Sequence, residues 1–141
     1  MKKEFTKDQI NKIKQFQKNE LTEYYIYSRL SRKVKNQKNS ETLKKIGDDE
    51  MRHYMFWKQY SGTDVKPSRW KIFKFYWIAR LLGITFGIKL MEKGEAGAQV
   101  AYEKACDFIP EAAQIVKDED DHEKVLIDLL EEKKLEYVGS I

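Results

Sequence analysis

Apolar residues along this chain recur at three- and four-residue steps rather than in alternation, the signature of amphipathic helices. The first run, over about residues 6–35, opens with a capping box, Thr6-x-x-Gln9, and Phe5 with Ile10 can close a hydrophobic staple around it. A polar break follows at Asn36-Gln37-Lys38-Asn39, and Ser40 is the expected cap of a second helix reaching about residue 60. Ser61-Gly62-Thr63-Asp64 reads as a loop. Helical periodicity resumes at Arg69 and continues to Asp107, but one straight helix of that length would span roughly 58 Å, far more than its neighbours. Gly83 and Gly87 are the expected points of interruption, because glycine costs about 1 kcal/mol in a helix interior. The pattern therefore predicts a connecting helix over 69–82 and a third long helix over about 84–107. Pro110 suits the first turn of a last helix, expected over about 110–137 and closed by Gly139. Four long helices with a partly helical crossover between the second and third predict an all-α, four-helix bundle forming a single domain, 1–141.

Composition narrows the function classes. Charged residues make up 35% of the 141, and Gly and Pro are scarce, which suits helices. The net charge of +4 is unevenly spread: Lys66 to Lys93 is basic, Asp118 to Glu136 mostly acidic. No continuous basic face with base-reading or stacking groups is evident, so no nucleic-acid partner is expected. The single cysteine, Cys106, excludes an internal disulfide or a cysteine-rich metal site and suits a reducing, cytoplasmic setting, with Cys106 expected to be a small buried residue. No run of about 18 uncharged residues marks a membrane span; the nearest, Phe75 to Ile88, is interrupted by Arg80. The stretch Trp70 to Arg80 interleaves aromatics with cations, a pattern suited to a bilayer interface. A crossover helix packed on the bundle or on a second protomer is the preferred expectation for it.

Two segments carry the candidate chemistry: Asp49-Glu50-Met51-Arg52-His53 and Asp118-Glu119-Asp120-Asp121-His122. Each reads Asp-Glu-x-x-His, and positions three apart on a helix share a face, so each aims a carboxylate and an imidazole at one spot. The chain's two histidines are both used in this way. The other two long helices supply a lone glutamate at matching height, Glu20 and Glu95, with Glu23 and Glu92 as competitors one turn away. The midpoint of Glu20 and His53 falls at about residue 36 and that of Glu95 and His122 at about 108, both at the expected turns. Two hairpins folded there would bring the four sites level.

The neighbouring positions are apolar: Leu43, Ile46 and Trp57 beside the first motif, Ile115, Leu126 and Leu129 beside the second. Four ionised carboxylates in such surroundings cost several kcal/mol each unless compensated. Two divalent ions would match the charge of four glutamates with two neutral histidines. One Glu from each of two helices plus Glu-x-x-His from each of two others is the ligand set of di-iron and di-manganese carboxylate bundles. The candidate metal ligands are Glu50, His53, Glu119 and His122, with Glu20 or Glu23 from the first helix and Glu95 or Glu92 from the third. Any oxidation chemistry would depend on the four glutamates. Iron or manganese suits oxygen-rich donors with imidazole; zinc would bind without redox chemistry. Asp49 and Asp118 are candidates for orienting the histidines, the expected pairing being crossed, Asp49 to His122 and Asp118 to His53. Tyr24, Tyr27 and Tyr102 read as core aromatics more readily than as redox-active neighbours.

As a set, Glu20 with Tyr27, Glu50-x-x-His53, Gly94-Glu95 with Tyr102, and Glu119-x-x-His122 resemble the rubrerythrin branch of the ferritin-like superfamily over nearly the whole chain. The resemblance implies a pair of iron ions held by Glu20, Glu50, His53, Glu95, Glu119 and His122, with Glu50 or Glu119 joining Glu95 in contributing to both. Two departures count. Long-type rubrerythrins carry a further glutamate where this chain has Ala98, and a rubredoxin domain that this chain lacks. The first weighs against the same iron-shifting peroxidase cycle, and the second implies that electrons for turnover come from elsewhere. Glu92 to Ala96 and the ending Leu135 to Ile141 are more similar still to the ferritin-like domain preceding a vacuolar-iron-transporter-type membrane domain, as in membrane-bound ferritin. That similarity implies a piece of a longer, membrane-tethered protein, binding ferrous iron and oxidising it with oxygen or peroxide, a two-fold dimer, serving iron sensing or collection for the attached transporter. The alternatives are a stand-alone peroxide-scavenging peroxidase and a non-catalytic dimerisation or docking module with structural metals.

Overall fold

Thr6 and Gln9 start the first helix as their spacing predicts. Gln9 N–H donates to Thr6 Oγ1 at 3.1 Å and Thr6 N–H to Gln9 Oε1 at 2.9 Å, so two otherwise unsatisfied donors are paired reciprocally. Helix α1 then runs Lys7–Lys33, and Phe5 packs edge-on against Tyr60. The remaining elements of this computed structural model are α2 (Gln37–Ser61), α3 (Arg69–Leu82), α4 (Ile84–Ala105), a 3-10 turn (Pro110–Ala112) and α5 (Ala113–Gly139). Residues 4–139 are described, except the side chains of residues 92, 94–96 and 130–139. Among the described residues there is no strand: the fold is all-helical.

Helix α2 starts earlier than expected, and Ser40 is not its cap. Asn36 takes that role, its Oδ1 accepting from Asn39 N–H at 3.0 Å. Asparagine caps as well as serine does, so both residues carried the same signal. Ser40 lies inside the first turn, where its hydroxyl donates to Ser31 O at 2.6 Å and ties α2 back to α1. Gly83, with φ of +99°, separates α3 from α4 in backbone that side chains other than hydrogen rarely adopt. Gly87 does not interrupt α4 at all. A Cβ there would lie 2.9 Å from Ala79 Cβ and 3.1 Å from its Cα, so this glycine is present for close helix approach, not for a break. Helix α4 ends at Ala105, short of the expected residue 107, with Cys106 as its C-cap, half-buried rather than buried. Pro110 opens a 3-10 turn, and α5 begins only at Ala113.

Contacts divide the chain into two compact units, Met1–Lys74 and Phe75–Ile141. In the first, α1 and α2 form an antiparallel hairpin. Ile13, Phe16, Ile26, Tyr27 and Leu30 of α1 face Leu43, Ile46, Tyr54 and Trp57 of α2, all buried. These positions follow the three- and four-residue steps of a helical stripe. Gly47 allows a close approach, since a Cβ there would lie 3.3 Å from Tyr27 Cβ.

The loop after α2 is held to the same unit. Gly62 caps the helix at φ +72°, Gln17 Nε2 donates to Thr63 O at 2.9 Å, and Lys58 Nζ meets Asp64 Oδ1 at 2.7 Å. Tyr54 also donates to Asp64. The Lys58 ammonium first, and the Tyr54 hydroxyl with it, hold the Asp64 carboxyl below its ordinary range, and Asp64 in turn raises Lys58. Ser68 caps α3 through Lys71 N–H, while its own N–H reaches Thr22 Oγ1 at 2.8 Å. In the second unit, Ile88, Met91, Tyr102 and Ala105 of α4 are buried, as are Ile109, Ala112, Ile115, Leu126 and Leu129.

Candidate metal centre

The stripe that packs α1 on α2 is apolar at both ends and acidic in the middle. Going along α1, Ile13 and Phe16 give way to Gln17 and Glu20, and Tyr27 and Leu30 resume the apolar run. Along α2, Leu43 and Ile46 lead to Glu50 and His53, and Trp57 follows one turn later. Glu20 and Glu50 are 0% exposed and His53 3%. Helical spacing thus delivers two carboxylates and one imidazole into the interior of a hairpin whose large buried side chains are mostly hydrocarbon and aromatic, with Gln17 and Glu23 among the buried polar ones.

The three side chains converge. His53 Nδ1 lies 3.4 Å from Glu20 Oε2 and 3.8 Å from Glu50 Oε1, and each residue offers one ligand atom within 4.8 Å of the others. Neither carboxylate oxygen of Glu20 has a hydrogen-bond partner. Ionised carboxylates taken out of water without donors cost several kcal/mol, so a cation is the fitting complement. Donors bound to one ion at about 2.0–2.2 Å stand roughly 3–4 Å from one another. The separations between His53 and the two glutamates fall in that range, so this donor set fits a divalent metal.

Glu20, not Glu23, is the α1 glutamate of this group, although Glu23 is also buried, at 7%. Sequence reasoning did not single out Gln17, fully buried one turn before Glu20, whose amide fastens the α2–α3 loop. Its only sequence signal is a polar residue on the apolar stripe. Trp57 packs against Phe16 and Phe56, with ring centroids 4.8 and 5.1 Å apart, and forms an apolar wall one turn beyond His53. Tyr27 and Tyr102 are buried and Tyr24 is half-buried, as core aromatics would be.

The second motif sits on α5. His122 is 8% exposed, Glu119 half-buried, and His122 Nδ1 lies 4.0 Å from Glu119 Oε2. The i, i+3 spacing has placed carboxylate and imidazole on one face, as in the first motif. Gln99 of α4 donates to Asp120 and to Val116 O of α5, linking the two helices beside this face. Asp49 is held by Arg52 and, at 4.0 Å, by Lys45 of its own helix; Asp118 accepts from Gln114 at 2.9 Å. The expected ligand Glu95, and its competitor Glu92, lie outside the described side chains. No protein-family model, curated protein or solved structure matches this chain.

Proposed function

We propose that the chain is a di-iron carboxylate domain of ferritin-like, four-helix type, which binds ferrous iron and oxidises it with oxygen or peroxide. In a longer, membrane-tethered protein it collects or senses iron for a transporter. The observation that carries the metal reading is Glu20: a fully buried carboxylate with no hydrogen-bond partner, 3.4 Å from an imidazole nitrogen. The iron assignment is supported by the donor chemistry, since carboxylate oxygens with imidazole suit iron or manganese, and by the rubrerythrin-branch resemblance of the motifs. In this reading Glu20, Glu50, His53, Glu119, His122 and Glu95 hold two ions.

Iron bound there would supply one-electron redox chemistry. The protein's part is arrangement. Glu20 and Glu50 bring negative charge into the α1–α2 interior, favouring the more highly charged, oxidised metal. His53 supplies a neutral donor through Nδ1, the nitrogen aimed at both carboxylates. Leu43, Ile46 and Trp57 keep bulk water from the buried face, which strengthens every charge interaction inside it. Glu119 and His122 provide the equivalent pair on α5.

The test is an anaerobic ferrous titration of metal-free protein beside a His53→Ala, His122→Ala variant. Saturation near two irons per chain, lost in the variant, is the expected result. An oxygen pulse on the loaded protein should then give oxidation; its absence would leave a binder rather than an oxidase. Unchanged binding in the variant would sink the reading.

A further inference from the structure

Helix α3 carries two apolar faces on roughly opposite sides, at the 3.6 residues per turn of an α-helix. Ile72 and Ala79 are buried, at 5% and 6%. Trp70, Phe73, Trp77 and Leu81, recurring at three- and four-residue steps, are exposed at 69%, 56%, 44% and 76%. Among the described residues, nothing buries the aromatic face of this helix. Arg69 and Arg80 flank that face on one side and Lys74 and Lys71 on the other, all exposed. Past Gly83, α4 repeats the theme with exposed Phe86 and Leu90 accompanied by Lys89 and Lys93.

We propose that the exposed aromatic face of α3 lies on an anionic phospholipid surface, with Trp70, Phe73, Trp77 and Leu81 in the headgroup–acyl boundary and the flanking Lys and Arg on lipid phosphates. Trp places an apolar ring and an N–H donor at that boundary, and long cations extend from an apolar stripe to the phosphates beside it. Charge selects this occupant over a second copy of the chain. From Lys66 to Lys93 there are seven Lys or Arg and one acidic residue, Glu92. A two-fold interface would set this basic patch against itself, whereas an anionic bilayer is its complement. The helix lies along the surface rather than through it. Its 14 residues extend about 21 Å, less than the roughly 30 Å hydrocarbon core, and no helix among the described residues is long and apolar enough to cross. The inference is independent of the metal reading.

The purified chain is mixed at low salt with phosphatidylcholine vesicles with and without phosphatidylglycerol, and followed by sedimentation and tryptophan emission. Binding to the anionic vesicles, with a blue shift and loss on adding salt, is expected. Brominated lipid should quench Trp70 and Trp77 but not the buried Trp57, so a Trp70→Phe, Trp77→Phe variant should bind yet escape quenching. A Lys71→Gln, Lys74→Gln variant should bind roughly thirtyfold more weakly, at about 1 kcal/mol per cation. Three results would overturn the proposal: no binding by the folded chain, binding indifferent to the lysine changes, or a dimer that buries both tryptophans and ignores vesicles.

Discussion

Replacing Glu20 by methionine should stabilise the metal-free protein while abolishing its response to iron. Methionine is unbranched and close to glutamate in volume, so the surroundings of residue 20, between Gln17 and Glu23 on α1, need little repacking. What changes is that a 0% exposed carboxylate with no hydrogen-bond partner disappears. Exchanging buried charge for well-packed hydrocarbon gains about 1–4 kcal/mol in other proteins. At roughly 3 °C per kcal/mol for a chain of this size, the variant should melt about 3–12 °C higher than its parent in chelator. Iron acts in the opposite direction on the comparison. A ligand at a hundredfold its Kd stabilises by about 2.7 kcal/mol, so the parent should gain roughly 8 °C on loading and the variant close to nothing. Calorimetry with and without ferrous iron under argon measures both shifts. A variant that melts lower than its parent in chelator would mean protein donors already compensate Glu20, and the metal argument would lose its foundation.

Gly87→Ala should destabilise despite the better helix propensity of alanine, because the new Cβ meets Ala79 backbone and side-chain atoms at 2.9–3.2 Å. Overpacking of about 1–3 kcal/mol opposes a propensity gain of about 1 kcal/mol, and Ala79→Gly in the same chain should restore only part of the melting temperature, because it removes the side-chain contact but not the two backbone ones. Asp64→Asn should remove the link from Lys58 and Tyr54 to the α2–α3 loop. Asp64 is held below its ordinary 3.8, so its contribution is full above that value and is lost as pH falls through the lowered one. Lys58 is raised above 10.5, so its contribution is full below that value and is lost as pH rises through the raised one. The melting difference between parent and variant should thus be flat between these limits, shrink outside them, and diminish with salt.

Features governed by local chemistry were legible in the sequence. The Thr6–Gln9 capping box, the bounds of α3 and the interior placement of Glu50 and His53 follow from spacing alone. What was not legible turned on which of two equivalent residues the tertiary structure selects. Asn36 and Ser40 are both good caps, and only the position of α1, whose Ser31 carbonyl takes up the Ser40 hydroxyl, separates them. Gly83 and Gly87 look alike in sequence, yet one serves a positive φ and the other a close approach to Ala79. Glu20 and Glu23 lie one turn apart on one stripe, and only the former converges with Glu50 and His53. The exposure of the α3 aromatics was similarly hidden, because periodicity identifies an apolar face without saying what covers it.

The α1–α2 hairpin has a consequence for events on the ribosome. Glu20, Glu50 and His53 come from one pair of adjacent helices joined by three residues, Val34 to Asn36. Contacts of such short sequence separation form early and fast. At about 5–20 residues per second, translation from His53 to His122 takes roughly 3–14 s. The nascent chain therefore carries a grouped pair of acids and an imidazole for seconds before its second motif exists. A metal bound as proposed would meet its ligands in the order of their synthesis, and whichever divalent ion is abundant beside the exit tunnel would have the first opportunity to occupy the site.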